Sequence, residues 1–145
     1  MKRKRAKILN SPSNRNSEQF FENAYCQLWI ENGILYVMYR KGLYLRLEDA
    51  KIIVADRLKF QQGVVYPAYC DFQGVIRGDK AARDYLANEG SAMVSAIACH
   101  ITSPAVRIIT NIYVTFSRPK VITRMFSKKE YAISFLKKFV VTNNS

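Results

Sequence analysis

The sequence is poor in the residues that build metal, redox and nucleophilic sites. It contains three cysteines and one histidine, and Cys26, Cys70 and Cys99 show no C-x-x-C spacing. An odd number of widely spaced cysteines indicates reduced thiols rather than a disulfide framework or a zinc site. We therefore expect a cytoplasmic protein that holds no metal and no other cofactor.

Long apolar runs and catalytic motifs are missing as well. No run approaches the ~20 apolar residues of a membrane span, and the basic residues 1–5 precede no apolar segment of the kind that forms a secretory signal. Residues 74–78 include two glycines but match neither G-x-G-x-x-G nor the P-loop pattern. His100 is near Cys99 and Ser103, yet adjacent strand residues point to opposite faces, and no oxyanion hole is evident. We therefore expect a protein that is not an enzyme.

Acidic residues are scarce beside basic ones. There are 23 Lys and Arg residues against 11 Asp and Glu, which gives a net charge of +12. Such a balance favours anionic partners, including nucleic acid, or else gives a solvated surface. The aromatic residues fall mostly in apolar stripes rather than between the basic residues, so nucleic acid is not the favoured partner. The candidate anion-binding surface comprises Arg118, Lys120, Arg124, Lys128 and Lys129.

The order of patterns predicts a single α/β domain over residues 21–140, between a disordered basic tail (1–20) and a frayed C-terminus (141–145). Asn-Gly at Asn32-Gly33 separates two β-prone runs, 27–30 and 34–40, and predicts a hairpin. Strands at 64–75, 93–101 and 121–126 then alternate with helical patterns. The resulting order, ββαβαβαβα, predicts one mostly parallel five-stranded sheet with an antiparallel edge strand.

Several local signals fix the predicted helix ends and faces. Ser103 before Pro104 indicates a helix start, Asp79 an N-cap, and residues 127–130 fit the S-x-x-E capping box. Asp71 and Asp79 could meet as a carboxylate pair for a cation, although a cap and a loop tie are the favoured roles. The longest apolar stripe is predicted to face the core with Phe135, Leu136 and Phe139; it consists of Ala105, Ile108, Ile109, Ile112, Tyr113 and Phe116.

These elements and their residues resemble the SpoIIAA-like (STAS, or STAS/SEC14-like) family of small bacterial domains, most of them uncharacterised. The resemblance covers residues 24–139 and rests on several short segments in the same order. They are 31–36 (ENGILY), 47–51 (LEDAK), Tyr66-Pro67 leading into Asp71, 82–87 (ARDYLA), 118–121 (RPKV) and 125–126 (MF). It implies the same fold and a function in binding.

In anti-sigma-factor antagonists of this family, an Asp-Ser-Ser-Gly segment begins a helix, and its second serine is phosphorylated to switch partner binding. Residues 79–82 occupy that segment here, with Ala81 in place of the phosphorylated serine. The resemblance therefore implies a partner surface without the switch. The candidate interaction surface comprises Asp71, Arg77, Asp79, Lys80, Ala81 and Arg83.

Three functions stay open from the sequence. The leading hypothesis is a protein-interaction module with an unknown protein partner, and a homodimer is left open as its oligomeric state. The second is a small-ligand or lipid-binding domain, and the third is nucleic-acid binding through the tail and the basic surface.

Overall fold

The computed structural model describes residues 19–141. The predicted tail and the predicted frayed C-terminus lie almost entirely outside them. The strands are β1 (Phe20–Glu22), β2 (Cys26–Glu31), β3 (Ile34–Tyr39), β4 (Leu43–Leu45), β5 (Tyr66–Asp71), β6 (Val75–Gly78), β7 (Val94–His100) and β8 (Thr123–Phe126). The helices are α1 (Leu47–Gln61), α2 (Lys80–Asn88), α3 (Pro104–Ile112) and α4 (Lys129–Lys137), and a π-helical segment, Tyr113–Ser117, continues α3.

The fold is α/β, and its main sheet is mostly parallel, as predicted. Its strand order is β1-β2-β3-β5-β7-β8. The pairs β1–β2 and β2–β3 are antiparallel, and β3, β5, β7 and β8 run parallel. Positive φ angles at Asn32 and Gly33 make the tight turn of the predicted hairpin.

The structure has more strands than the five that the sequence predicts. β1 adds a sixth strand at the antiparallel edge, and β4 pairs with β6 in a separate two-stranded parallel sheet. These three strands are three or four residues long, too short to show an alternating pattern. The predicted strand 64–75 is also shorter, because Val64 and Val65 are exposed before β5 begins.

The two faces of the main sheet carry separate cores. On one face, buried residues of α1, α2 and α3 join the sheet, as Ile53, Ala82 and Val106 show. On the other face α4 packs alone, through Ala132 and Leu136. α3 and α4 therefore lie on opposite sides of the sheet.

The predicted orientation of α3 is right only in part. Tyr113 is buried and Ile109 packs against the core, as predicted. Ile108 and Phe116 are exposed, however, and Val106 and Thr110 are buried in their place. The buried face is turned by about one residue, roughly 100°, from the apolar stripe. Because α4 covers the opposite face of the sheet, its apolar residues cannot join those of α3.

The sequence predicts the start of α3 correctly, that of α4 wrongly and that of α2 only in part. The Ser103 hydroxyl accepts a 3.2 Å hydrogen bond from the Val106 N–H at the start of α3, as predicted. The predicted capping box at Ser127 does not form, because Lys128 is the N-cap residue of α4. Asp79 holds the N-cap position of α2, but its carboxylate receives no hydrogen bond from that helix.

Candidate interaction surfaces

The carboxyl ends of β5 and β7 bring three functional side chains together. The Tyr69 hydroxyl and His100 Nδ1 share a 2.6 Å hydrogen bond. Asp71 is the register partner of His100, and its carboxylate accepts a 2.8 Å hydrogen bond from the Gln73 N–H, so it ties down the loop. Burial first, then the charge of Asp71, raises the pKa of Tyr69 and keeps its phenol neutral. His100 therefore pairs with a tyrosine.

An aromatic row crosses the α4 side of the sheet beside this pair. The Trp29 and Tyr36 rings stack with centroids 5.1 Å apart, and Tyr36 lies 5.3 Å from Tyr69. Lys129 Nζ, at the start of α4, lies 5.6 Å and 5.7 Å from the centroids of Tyr36 and Tyr69, within cation–π range. Tyr36 and Tyr69 are buried in the core on this face, so the row is part of the apolar interior and Lys129 contacts it from the start of α4.

Tyr44 organises a second cluster, where β4 and β6 meet the start of α2. Its hydroxyl donates a 2.8 Å hydrogen bond to Asp79 Oδ1. The guanidinium carbons of Arg46 and Arg77 lie 4.7 Å and 5.3 Å from the centroid of its ring. Sequence reasoning missed Tyr44 because β4 carries no recognisable pattern. The Asp79 carboxylate is therefore bonded to Tyr44 and not to the N-terminus of α2.

The remaining residues of the predicted interaction surface divide between surface and interior. Lys80 forms an exposed 2.6 Å ion pair with Asp84 in the next helical turn, and Ala81 is exposed. Arg83 is half-buried, and its Nε has no hydrogen-bond partner. Asp71 is buried and adds nothing to the surface. We define the β6–α2 surface as Ile76, Arg77, Asp79, Lys80 and Ala81.

The predicted anion-binding residues lie on β8, which is an edge strand of the main sheet, or near it in the chain. All five residues are exposed, on β8 or on the segments just before and after it: Arg118, Lys120, Arg124, Lys128 and Lys129. Between residues 90 and 129 the chain has no aspartate or glutamate. The structure does not unite these cations in one patch: Lys129 lies over Tyr36 and Tyr69 on the α4 side of the sheet, whereas the Lys120 N–H bonds to the Ala87 carbonyl of α2 on the opposite side.

A buried arginine lines the larger of two neighbouring cavities under α1, α2 and α3. Arg57 is 5% exposed; its guanidinium donates to the Gly90 carbonyl at 2.9 Å and to Gln61 Oε1. Burial is the main cause that lowers the pKa of Arg57. The cavities measure about 40 Å³ and 30 Å³ and share a wall that includes Phe72 and Tyr113. Ligand pockets measure about 300–1,000 Å³, so neither cavity can accommodate a lipid.

The cysteines are free thiols in the interior. Burial raises the pKa of Cys26 and Cys70 to about 12, and that of Cys99 well above its usual range. A thiol in this state is a poor nucleophile and metal ligand. Within residues 19–141, no three His, Cys, Asp or Glu side chains are grouped so that they could hold a metal ion. In the same part of the chain, no helix is both long and apolar enough to cross a membrane.

The architecture defines an α/β domain with a SpoIIAA-like fold, and a solved structure confirms it. That structure is of an uncharacterised protein of the DUF3478 family with a SpoIIAA-like fold from Shewanella loihica PV-4. The TM-score is 0.55 at 13% sequence identity, and the match covers 77% of this chain and 91% of that chain. At such low identity the likeness shows the fold alone.

The sequence itself places the chain in a family. It belongs to the family described as domain of unknown function DUF7793, which matches residues 28–140. None of the curated proteins matches the sequence. The surfaces described above are therefore the basis of the proposed function.

Proposed function

We propose that this chain is a non-enzymatic, cytoplasmic protein-interaction domain that binds its partner through the β6–α2 surface. The observation that supports the proposal most strongly is the 66% exposure of Ile76. The groups around it are ordered, because Tyr44 holds Asp79 by a hydrogen bond and contacts Arg77 with its ring. An exposed apolar residue within a rim of charged groups is typical of protein-binding surfaces.

Partner binding at this surface is constitutive in the proposal. Residues 74–83 contain no serine, threonine or tyrosine, and Ala81 stands at the position of the switch serine of the anti-sigma-factor antagonists. A kinase therefore has no hydroxyl to modify at the start of α2. The Lys80–Asp84 ion pair also leaves both signs of charge on this surface, which suits a partner of mixed charge.

The absence of catalysis is part of the same proposal and rests on the state of the reactive groups. His100 is hydrogen-bonded to Tyr69. Cys99 is buried on the other face of the sheet with a raised pKa. These contacts support the proposal that neither pair suggested by the sequence, His100 with Cys99 or with Ser103, acts in catalysis.

The test is quantitative affinity purification with full-length protein from the cells that express it. The double variant Ile76→Ser, Arg77→Glu should recover at least roughly tenfold less partner, because central interface residues dominate binding energy. The matched control, Val64→Ser with Lys59→Glu, changes an exposed apolar residue and an exposed basic residue on and just after α1, and should recover the normal amount. Circular dichroism should show both variants folded. Equal recovery by the two variants would refute this surface as the binding site.

A further inference from the structure

The outer face of α3 presents apolar side chains that nothing in residues 19–141 covers. Ile108 is 62% exposed and Phe116 is 74% exposed. Ala105 is also exposed and Ile112 is half-buried. Their spacing of three or four residues places them in one stripe along the helix, which we call the α3 stripe. Two large apolar side chains in solvent, on one helix, indicate a surface that acquires a cover.

The inward face of α3 carries polar side chains, although it faces the core. Thr110 and Ser117 are buried, and the Thr110 hydroxyl has no hydrogen-bond partner within residues 19–141. Val106 and Tyr113 provide apolar contacts on that face. The helix therefore keeps two hydroxyls inside while Ile108 and Phe116 point outward. The rotation of α3 that buries these hydroxyls costs the isolated domain free energy. A surface that covers the α3 stripe would offset this cost.

The exposed charged residues of α3 and of the segment just after it are basic, which favours an anionic cover. Arg107, Arg118 and Lys120 are exposed on α3 or just after the π-helical segment. Residues 90–129 include six Lys and Arg residues and no Asp or Glu. The apolar stripe therefore has basic residues close to it along the chain and no acidic residue in that segment.

A second copy of the chain does not satisfy this requirement. A two-fold interface brings the same patch of both copies together. Arg107 and Arg118 of one copy would then face the same basic patch of the other, with no acidic residue of this segment to pair with them. Like charges at an interface are unfavourable, so self-association through the α3 stripe is disfavoured.

We infer that α3 docks on the surface of an anionic lipid bilayer. The α3 stripe would enter the boundary between headgroups and acyl chains, while Arg107, Arg118 and Lys120 would contact the acidic headgroups. Helices that lie in this boundary combine an apolar face with Lys and Arg and need no spanning length. The stripe projects outward and thus suits a flat surface.

The test is co-sedimentation of the full-length protein with two kinds of vesicle. One kind is phosphatidylcholine alone, and the other is phosphatidylcholine mixed with phosphatidylserine. We expect binding only to the mixed vesicles, weaker at high salt because added ions screen the headgroup charge.

Matched variants assign the binding to α3. Ile108→Ser with Phe116→Ser should weaken vesicle binding by about tenfold or more, because each residue loses apolar surface that the bilayer would bury. Tyr131→Ser is the control, since Tyr131 is 60% exposed on α4, on the other side of the sheet; it should bind normally. Arg107→Glu with Arg118→Glu should also lose binding, whereas Lys51→Glu with Lys59→Glu, the same change in net charge on exposed positions of α1, should retain most of it.

Four results would overturn the inference. They are no binding to mixed vesicles, equal binding to both kinds of vesicle, normal binding by the α3 serine variant, and equal losses in the two glutamate variants. The last would assign the attraction to net charge alone. All the altered side chains are exposed, so thermal midpoints close to that of the parent protein should confirm that the variants are folded.

Discussion

Replacing Gly74 by alanine tests how the turn before β6 closes against the end of β3. A Cβ atom on Gly74 would lie 2.2 Å from the Arg40 carbonyl oxygen and 2.4 Å from that of Tyr39. Real Cβ atoms essentially never come closer than 3.0 Å, so the two segments must separate by at least 0.8 Å (3.0 − 2.2). Both obstacles are backbone atoms, so no rotamer change can relieve the contact.

The surrounding hydrogen bonds make this separation costly. The Gly74 carbonyl accepts a 2.9 Å bond from the Leu43 N–H, and the Arg40 N–H donates a 2.9 Å bond to the Tyr25 carbonyl. Overpacking typically costs 1–3 kcal/mol, and because backbone must move here we expect about 3 kcal/mol. For a chain of this size, that corresponds to a fall in the thermal midpoint of roughly 6–12 °C.

Thermal and urea unfolding, followed by circular dichroism, measure the effect. Gly78→Ala is the control, because the nearest atoms to its added Cβ lie 3.6 Å and 3.8 Å away, at ordinary van der Waals distance. It should leave the midpoint within about 2 °C, since well-accommodated changes alter stability by under ~0.5 kcal/mol. If Gly74→Ala is as stable as Gly78→Ala, the close approach of the turn to β3 is wrong.

Two further predictions concern buried polar groups. Thr110→Val should raise the free energy of unfolding by about 1 kcal/mol, because it removes a buried hydroxyl without a partner and keeps the side-chain shape; Thr115→Val at an exposed position is the control, and a loss of stability in urea would contradict the buried hydroxyl. Cys26 and Cys70 have pKa values of about 12 when folded and near 8.5 when unfolded. Their contribution to stability is therefore full below about pH 8.5 and falls as the pH rises toward 12, so the Cys26→Ala, Cys70→Ala variant should show a smaller decline over that range; an equal decline would contradict it.

The sequence predicts the order of strands and helices in this fold because the signals for turns and helix ends are local. Asn32-Gly33 can make its turn without distant partners, and Ser103 with Pro104 starts a helix through its own first turn. The recurring positions of α1 predict most of its buried face: Ala50, Ile53, Val54 and Arg57 follow helical spacing and are buried. Periodicity fails for Asp56, which lies off that stripe but is buried, where it accepts a hydrogen bond from the Asn23 amide.

The same reasoning fails in part for α3, for a physical reason. A hydrophobic stripe predicts the inward face only if the helix rotates to bury as much apolar surface as it can. Here the Tyr113 ring packs 5.6 Å from Phe72, and Val106 enters the core. These contacts, with the connections to β7 and β8, set a rotation that leaves Ile108 and Phe116 outside. No local pattern contains that information.

The candidate sites could be predicted only in part, because their members come from distant strands. The residues of the β6–α2 surface follow one another in the chain, so the sequence located most of them. The Tyr69–His100 bond joins residues 31 positions apart, and the Tyr44–Asp79 bond joins residues 35 positions apart. Both depend on the register between parallel strands, which alternation of apolar residues does not specify.

The contacts at the carboxyl ends of the parallel strands indicate which surfaces of the domain are open to a partner. In open parallel sheets, ligands usually bind in the crevice at the carboxyl ends of the strands. Here that position is occupied by the chain's own contacts: Tyr69 with His100, Asp71 with the Gln73 N–H, and Lys129 over the aromatic row. A ligand there would have to replace hydrogen bonds that already exist, for little net gain. A partner that covers the exposed side chains of the β6–α2 surface or the α3 stripe breaks no such bond and gains the full benefit of apolar burial. The outer surfaces are therefore the better candidates for the binding proposed above.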